Sequence, residues 1–266
     1  MRARIGLRVA ALGYLAALLI VPVGLIFYRT FERGVGAAWD SVTTPEAQHA
    51  FWLTFLMVVI AVPLNTVFGV ATALLLERHP FRGKTVLNSL IDLPFAVSPV
   101  VVGLALVLVY GLNGWFGHWF AGHGIRIIFS TPGMVLATIF VCLPFVVREV
   151  QPVLREIGTE QEEAARTLGA SPVQTFWRIT LPAIRWGVGY GVVLSTARAL
   201  GEFGAVAVVS GQISGVTETA TLRVQERFEA FDPVGAYSAS VVLALMGVAV
   251  LLFMNILERR RRRQGA

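Results

Sequence analysis

Six long apolar stretches constrain this chain more than any other feature of its sequence. A helix needs about 20 apolar residues to cross the hydrocarbon layer of a membrane, and each stretch reaches that length. In chain order they are Val9–Tyr28, Ala50–Leu76, Leu93–Gly117, Ile127–Val147, Trp186–Thr217 and Pro233–Leu257. Only the fifth carries charges, Arg198 and Glu202. The pattern predicts an all-α polytopic membrane protein with six transmembrane helices, forming one transmembrane domain over residues 1–266.

The composition agrees with a membrane protein. Only 14% of the residues are charged, whereas about a quarter are charged in soluble globular proteins. The single cysteine, Cys142, excludes a disulfide framework and a cysteine-rich metal site. The four histidines show no metal-ligand spacing, so we expect no metal site.

The basic residues predict an orientation for the helices. Sixteen of the 22 lie at the N-terminus, in the second–third and fourth–fifth connections and in the C-terminal tail, whereas five lie in the remaining connections. Basic residues are enriched in the cytoplasmic loops of membrane proteins. The asymmetry therefore predicts that both termini are cytoplasmic. The run Arg259–Arg263 then serves as a topology anchor beside anionic lipid rather than as a nucleic-acid site.

The fourth–fifth connection, residues 148–185, is the longest and most polar segment. Its first part, about Gly158 to Leu168, is rich in helix formers, and Gly169 suits the left-handed residue that ends a helix. Ser171-Pro172 provides an N-cap and a first-turn proline for a second helix, which we expect to stop before Leu181-Pro182. The sequence predicts a helical hairpin.

The spacing alone leaves two interpretations of this hairpin open. It is either an ordinary surface hairpin or a docking site for a cytoplasmic partner, where Ala164, Ala165 and Gly169 permit close backbone approach.

A motif in the hairpin resembles the EAA loop of binding-protein-dependent ABC importer permeases. The matching residues, at matching spacing, are Glu163, Ala164, Ala165, Gly169, Ile179, Leu181 and Pro182. The resemblance implies a type I ABC importer (MetI-like) permease fold. It also implies that residues 156–182 are a coupling loop that docks in a cleft of the ATP-hydrolysing subunit.

Two further stretches narrow the resemblance to one branch of these permeases. Residues 92–104 and 198–205 are similar to sulfate and molybdate permeases, and residues 208–215 resemble the CysW type of sulfate/thiosulfate importer. The implied function is translocation of sulfate, or thiosulfate, into the cytoplasm. A molybdate or tungstate permease is the alternative in the same class. An ion-coupled secondary anion transporter is an alternative from another class, which the complete EAA pattern disfavours.

The resemblance also implies that the chain lies in the bacterial inner membrane and has a set of partners. These are a homologous second permease subunit, a cytoplasmic ABC ATPase dimer, an extracytoplasmic sulfate-binding protein and the lipid bilayer. The chain has no GxxxxGK[ST] phosphate-binding pattern, so we expect the partner to use the ATP. We predict no catalytic residue, no directly bound cofactor and no enzyme activity in this chain.

Arg198 and Glu202 are the other candidates for a functional site. Residues four apart share one face of a continuous helix and can pair. Ionisable residues at membrane depth usually face the interior of a helix bundle or an aqueous path. Two interpretations remain open: a salt bridge that locks the fifth helix to a neighbour, or a pathway or gate where Arg198 offsets the charge of a passing oxyanion.

Overall fold

The computed structural model describes residues 10–264. Arg2, Arg4 and Arg8 of the predicted cytoplasmic N-terminus therefore lie outside the described residues, as do the side chains of Arg259–Arg263. Throughout the described part every regular element is helical. In chain order the helices are α1 (Ala10–Phe31), α2 (Val35–Val42), α3 (Pro45–Arg78), α4 (Lys84–Ala96), α5 (Pro99–Tyr110), α6 (Gly117–Gly122), α7 (Thr131–Ile157), α8 (Glu160–Thr167), α9 (Pro172–Leu200), α10 (Gly204–Ser210), α11 (Ala220–Glu229) and α12 (Pro233–Gln264).

Four of the described helices are long and apolar enough to cross a membrane by themselves. They are α1, α3, α7 and residues Pro233–Phe253 of α12. Two further pairs reach that length only together, because α4 and α5 meet at a 113° bend and α9 and α10 at a 55° bend. Residues 10–264 thus contain four candidate spans, or six when each bent pair counts as one. The third and fifth apolar stretches are therefore each divided into two helices, and for the fifth the expectation that Arg198 and Glu202 lie on one continuous helix is wrong.

The break in the third stretch comes from a proline. The residue before a proline is disfavoured in the helical conformation, and Ser98 is extended, with φ −59° and ψ 135°. Pro99 then starts α5, where its missing N–H costs no helical hydrogen bond. The stretch also ends earlier than predicted, since α5 stops at Tyr110 and Gly111 begins a series of tight turns.

Helices α3, α7 and α9 form the centre of the bundle. The most extensive helix contacts are between α3 and α7 and between α7 and α9. Val146 of α7 lies between two glycines: a methyl group on Gly69 would come within 2.7 Å of its Cβ, and one on Gly191 within 2.8 Å of its Cα. Small residues let membrane helices approach closely, so these two glycines allow the three helices to pack together.

Candidate coupling hairpin and buried ion pairs

The predicted coupling loop folds as a helical hairpin at one end of the bundle, which we call the hairpin end. Helix α8 forms its first arm, close to the predicted bounds. Thr159 precedes the helix, and its hydroxyl donates a hydrogen bond to Glu163 Oε1 over 2.7 Å. Gly169 follows with a φ of +85°, a conformation that glycine adopts without steric cost. The chain therefore reverses direction at the residue that the sequence predicted.

The second arm differs from the prediction. Ser171 begins it with a capping box, in which Ser171 and Gln174 each bond the other's backbone N–H. The helix does not stop before Leu181-Pro182 but runs on to Leu200 through a π-helical turn at Phe176–Thr180. The Leu181 N–H bonds the carbonyl of Phe176, five residues back. The wider turn brings the chain past Pro182, which has no N–H to donate.

The motif residues divide between the surface and the interior of the hairpin. Glu163, Ala164 and Gly169 are exposed, whereas Ala165 is buried within this chain. Helix α8 therefore turns the Ala165 side chain inward, against this chain. Ile179 and Leu181 are half-buried, and Pro182 is exposed.

Three large apolar side chains protrude around the turn of the hairpin. Leu168 is 88% exposed, Val173 66% and Trp177 62%. They come from both arms and lie beside the exposed motif residues in the sequence. Aromatic and aliphatic residues exposed together in this way are typical of interaction surfaces.

Sequence reasoning missed the acidic residue that anchors the hairpin. It is Glu162 and not its neighbour Glu163: the Glu162 side chain is only 8% exposed and pairs with Arg78 at 3.0 Å. Glu162 and Ala165, three apart, share the inward face of α8. The three-residue spacing between Glu162 and the small residue Ala165 was a weak signal that both lie on the same buried face. Nothing in the sequence indicated Arg78 as the partner of Glu162.

A second polar network lies at the same end of the bundle. Arg148 of α7 pairs with Asp92 of α4 and donates to Gln151 over 2.9 Å. Gln151 in turn donates to Glu77 of α3 over 2.6 Å, and Glu77 also pairs with Arg155 at 2.8 Å. These bonds connect α3, α4 and α7 beside the hairpin.

Arg198 and Glu202 pair as the sequence predicted, with 2.6 Å between Nη1 and Oε2. They do not share a helix face, however, because α9 ends at Leu200 and Glu202 lies in the break before α10. Glu202 Oε1 accepts the Ala205 N–H at 2.9 Å, and its carbonyl accepts the Thr221 hydroxyl at 2.8 Å. The Glu202 side chain is 1% exposed and that of Arg198 is 30% exposed. Glu202 is therefore a structural centre of the break, and Arg198 lies at its edge.

Another ion pair, which sequence reasoning missed, lies at the opposite end of the bundle. Arg223 of α11 pairs with Glu218 at 3.2 Å, and both side chains are almost fully buried. Arg223 also donates to the hydroxyl of Thr44, the N-cap of α3, over 3.0 Å. The pair therefore ties the loop after α10 to the start of α3.

Comparisons with known proteins give this arrangement a family context. The family model described as binding-protein-dependent transport system inner membrane component matches residues 65–263. The sulfate transport system permease protein CysW of Synechocystis is 54% identical over 94% of this chain and 91% of its own length. The CysW protein of Escherichia coli K12 is 47% identical over 94% and 86%. The permease protein CysT of Synechococcus elongatus is 42% identical over 92% and 88%.

The fold resembles that of solved importers. A crystal structure of a bacterial ABC transporter that imports the acidic polysaccharide alginate aligns with a TM-score of 0.81, covering 97% of this chain and 95% of that one, at 17% identity. The same kind of transporter in complex with an alginate-bound periplasmic protein aligns at 0.79, with coverage of 97% and 94% and 17% identity. At these identities the likeness shows the fold.

Proposed function

The chain belongs to the family of binding-protein-dependent transport system inner membrane components, and from this membership we propose that it is the permease subunit of an ATP-driven importer that carries sulfate into the cytoplasm. The observation that carries the proposal is the 54% identity over 94% of the chain to a sulfate permease. Four single helices and two bent pairs give the chain the means to cross a membrane several times.

The test of substrate is uptake of radiolabelled sulfate by cells or vesicles that carry the complete transporter. We expect uptake that needs this chain and ATP, and that unlabelled thiosulfate reduces. Molybdate or tungstate in excess should compete weakly. Uptake of molybdate without uptake of sulfate would overturn the proposal in favour of the alternative substrate.

The proposed transporter contains three kinds of partner. The 42% identity to a CysT permease supports a homologous second permease subunit, and the importer with a periplasmic protein supports an extracytoplasmic binding protein, here one for sulfate. A separate cytoplasmic ATPase dimer hydrolyses ATP, since this chain has no phosphate-binding loop pattern. Copurification of all four kinds of chain from an affinity-tagged version of this one tests the assembly.

We also propose that the hairpin end faces the cytoplasm, with both termini on that side. The arginine asymmetry supports this orientation. A reporter that folds only in the periplasm, fused after Gln264, should then be inactive. Activity of that fusion, with activity lost when the same reporter is inserted in the loop between α6 and α7, would reverse the orientation.

The ATPase docks, in this proposal, on the exposed face of the hairpin. Glu163, Ala164 and Gly169 provide the matched motif positions on that face, and Leu168 and Trp177 provide apolar area. Replacing Gly169 tests the docking sharply, because no described residue other than its two chain neighbours has an atom within 4 Å of where its Cβ would be. Gly169→Ala and Gly169→Leu share the backbone strain of the left-handed conformation, about 1–2 kcal/mol. They differ only in bulk.

We expect Gly169→Leu to lose ATPase copurification or uptake while Gly169→Ala retains most of both. Equal behaviour of the two variants, whether both are normal or both are impaired, would show that bulk has no effect here and that no partner covers this residue. In this proposal the less exposed motif residues maintain the shape of the hairpin and do not contact the ATPase: these are Ala165, Ile179 and Leu181. Pro182 lies just after the π-helical turn.

For the intramembrane pair we propose a division of roles. Glu202 holds the break between α9 and α10, and Arg198 offers its 30% exposed side chain to the passing oxyanion. Glu202 neutralises Arg198, so that a dianion is attracted without being trapped. The test is sulfate uptake, per assembled complex, of Arg198→Gln, Glu202→Gln and the double variant. An assembled double variant with slow uptake supports the anion role, whereas full uptake leaves only a structural lock.

A further inference from the structure

Arg78, the last residue of α3, makes three hydrogen bonds to three different positions. Its Nε donates to Glu162 Oε2 over 3.0 Å, Nη1 to the Leu154 carbonyl over 3.0 Å, and Nη2 to the Gly158 carbonyl over 2.8 Å. Leu154 lies in the last turn of α7, and Gly158 directly follows that helix. The planar fork of the guanidinium thus joins the end of α3 to the end of α7 and to α8.

Glu162 extends this connection to a fourth helix. Its second carboxylate oxygen, Oε1, accepts the hydroxyl of Thr180 at 2.8 Å. Thr180 lies in the π-helical turn of α9 and is buried. We call Arg78, Glu162 and Thr180 the hairpin clamp. One buried carboxylate therefore connects both arms of the hairpin with the end of α3.

The clamp is buried enough to act as a rigid joint. The side chains of Arg78 and Glu162 are 10% and 8% exposed. Removing one partner of such a buried pair leaves an uncompensated charge and is strongly destabilising. A displacement of the hairpin alone would break the bonds to Arg78, so the lower-energy motion carries the ends of α3, α7 and α9 along with the hairpin.

We propose that Arg78 and Glu162 are positioning residues that transmit motion of the ATPase-bound hairpin to the central helices α3 and α9. The proposal rests on the proposed function, in which the ATPase docks on the hairpin. The matched motif contributes the contact surface through Glu163, and its neighbour Glu162 contributes the joint behind that surface. Adjacent carboxylates on α8, one buried and one exposed, thus have different roles.

The first experiment measures the number of sulfate ions imported per ATP hydrolysed in the reconstituted transporter. We expect this ratio to fall at least about fivefold in Arg78→Gln and in Thr180→Val, the lower end of ordinary coupling between sites. Thr180→Ser keeps the hydroxyl and should retain the ratio. The double variant Arg78→Gln/Glu162→Gln removes the unpaired charge, so it should assemble while remaining uncoupled.

Arg155→Gln is the matched control. Arg155 also pairs with a glutamate at the end of α3, Glu77, but its side chain is 61% exposed and it makes no contact with α8 among the described interactions. We expect it to import sulfate at the normal ratio. A purely structural role for the clamp would lower ATP hydrolysis and uptake in proportion to the amount of assembled complex. An unchanged ratio in all clamp variants would overturn the proposal.

A second experiment measures directly whether α8 and the end of α3 move together. Spin labels at Arg82→Cys and Glu160→Cys, with Cys142→Ser as background, report the distance from the segment after α3 to α8. In the intact transporter we expect one narrow distance that ATP leaves unchanged, and in Arg78→Gln a broader one. A distance that changes with ATP in the intact transporter would overturn the rigid joint. If the unmodified transporter imports no sulfate, the proposed function fails, whereas the spin-label result still stands for the clamp.

Discussion

Helices α1 and α7 have similar mean hydropathies, but α1 is exposed within this chain and α7 is largely buried. Over their most apolar 18 residues, the mean hydropathy is 2.4 for α1 and 1.9 for α7. None of those residues is buried in α1, whereas 61% of them are buried in α7. Helix α7 packs between α3 and α9, whereas α1 contacts mainly α12 and α2. Apolar content therefore predicts a span but does not distinguish a central helix from a peripheral one.

The same contrast should govern how each helix tolerates a larger side chain. Gly191 of α9 faces Val146 of α7, and a methyl group there would lie 2.8 Å from the backbone of α7. Gly191→Leu should abolish assembly, since the backbone cannot yield that much space in a close-packed interior. Gly24→Leu in α1 is the control, because nothing lies within 4 Å of its Cβ position. The yield of folded complex measures both.

If Gly24→Leu loses assembly while the subunit itself still folds, a partner subunit covers this face of α1.

Charge removal is the next largest expected effect. Arg223→Met leaves Glu218 buried and unpaired beside α3, which should cost about 3–5 kcal/mol of folding free energy. Arg29 of α1 also pairs with a glutamate, Glu32, but both side chains are about half exposed. Arg29→Met should leave stability unchanged. The thermal midpoint of the purified complex should fall for Arg223→Met and not for Arg29→Met. A similar fall in both variants would contradict the difference between a buried and an exposed ion pair.

Buried threonines on α3 and α1 provide a smaller contrast. Thr54 of α3 accepts the backbone N–H of Ala220, at 2.9 Å, from a different helix. Thr54→Val leaves that buried donor without a partner, at a cost of about 1–3 kcal/mol. Thr30 of α1 donates only to the Ile26 carbonyl of its own helix in the described bonds, so Thr30→Val should be nearly neutral. Thermal unfolding of the two variants tests this, and equal losses would refute it.

The smallest effect should come from a change of shape at constant volume. Leu154→Met alters a fully buried side chain of α7 and should cost under about 1.5 kcal/mol. Leu19→Met alters an exposed side chain of α1 and should cost nothing measurable. Thermal midpoints that fall only for Leu154→Met would extend the contrast to the shape of a side chain at constant volume. A fall for Leu19→Met alone would reverse it.

Local sequence signals predicted a good part of the coupling hairpin. The helix formers of α8, the glycine at position 169 and the Ser171-Pro172 start are each decided within a few residues, so each could be inferred from the chain alone. The continuation of α9 past Pro182 could not, because the widened turn before the proline packs against α8, where Thr180 bonds Glu162 from 18 residues away. Pro99 is a local signal of the same kind, but a proline in an apolar stretch does not by itself distinguish a kinked span from a sharply broken one.

Composition and local sequence patterns were enough to predict an all-α membrane protein, the positions of its apolar stretches and the family of permeases that its hairpin motif resembles. These properties follow from composition and from interactions between residues close along the chain. The tertiary structure alone decided that Glu162 rather than Glu163 is buried, that Arg78 is its partner, and that Glu202 lies in a break rather than on a helix face. Arg78 and Glu162 are 84 residues apart. Burying either charge alone is costly, so each needs the other where four helices meet, and no local pattern records which residues the packing brings together there.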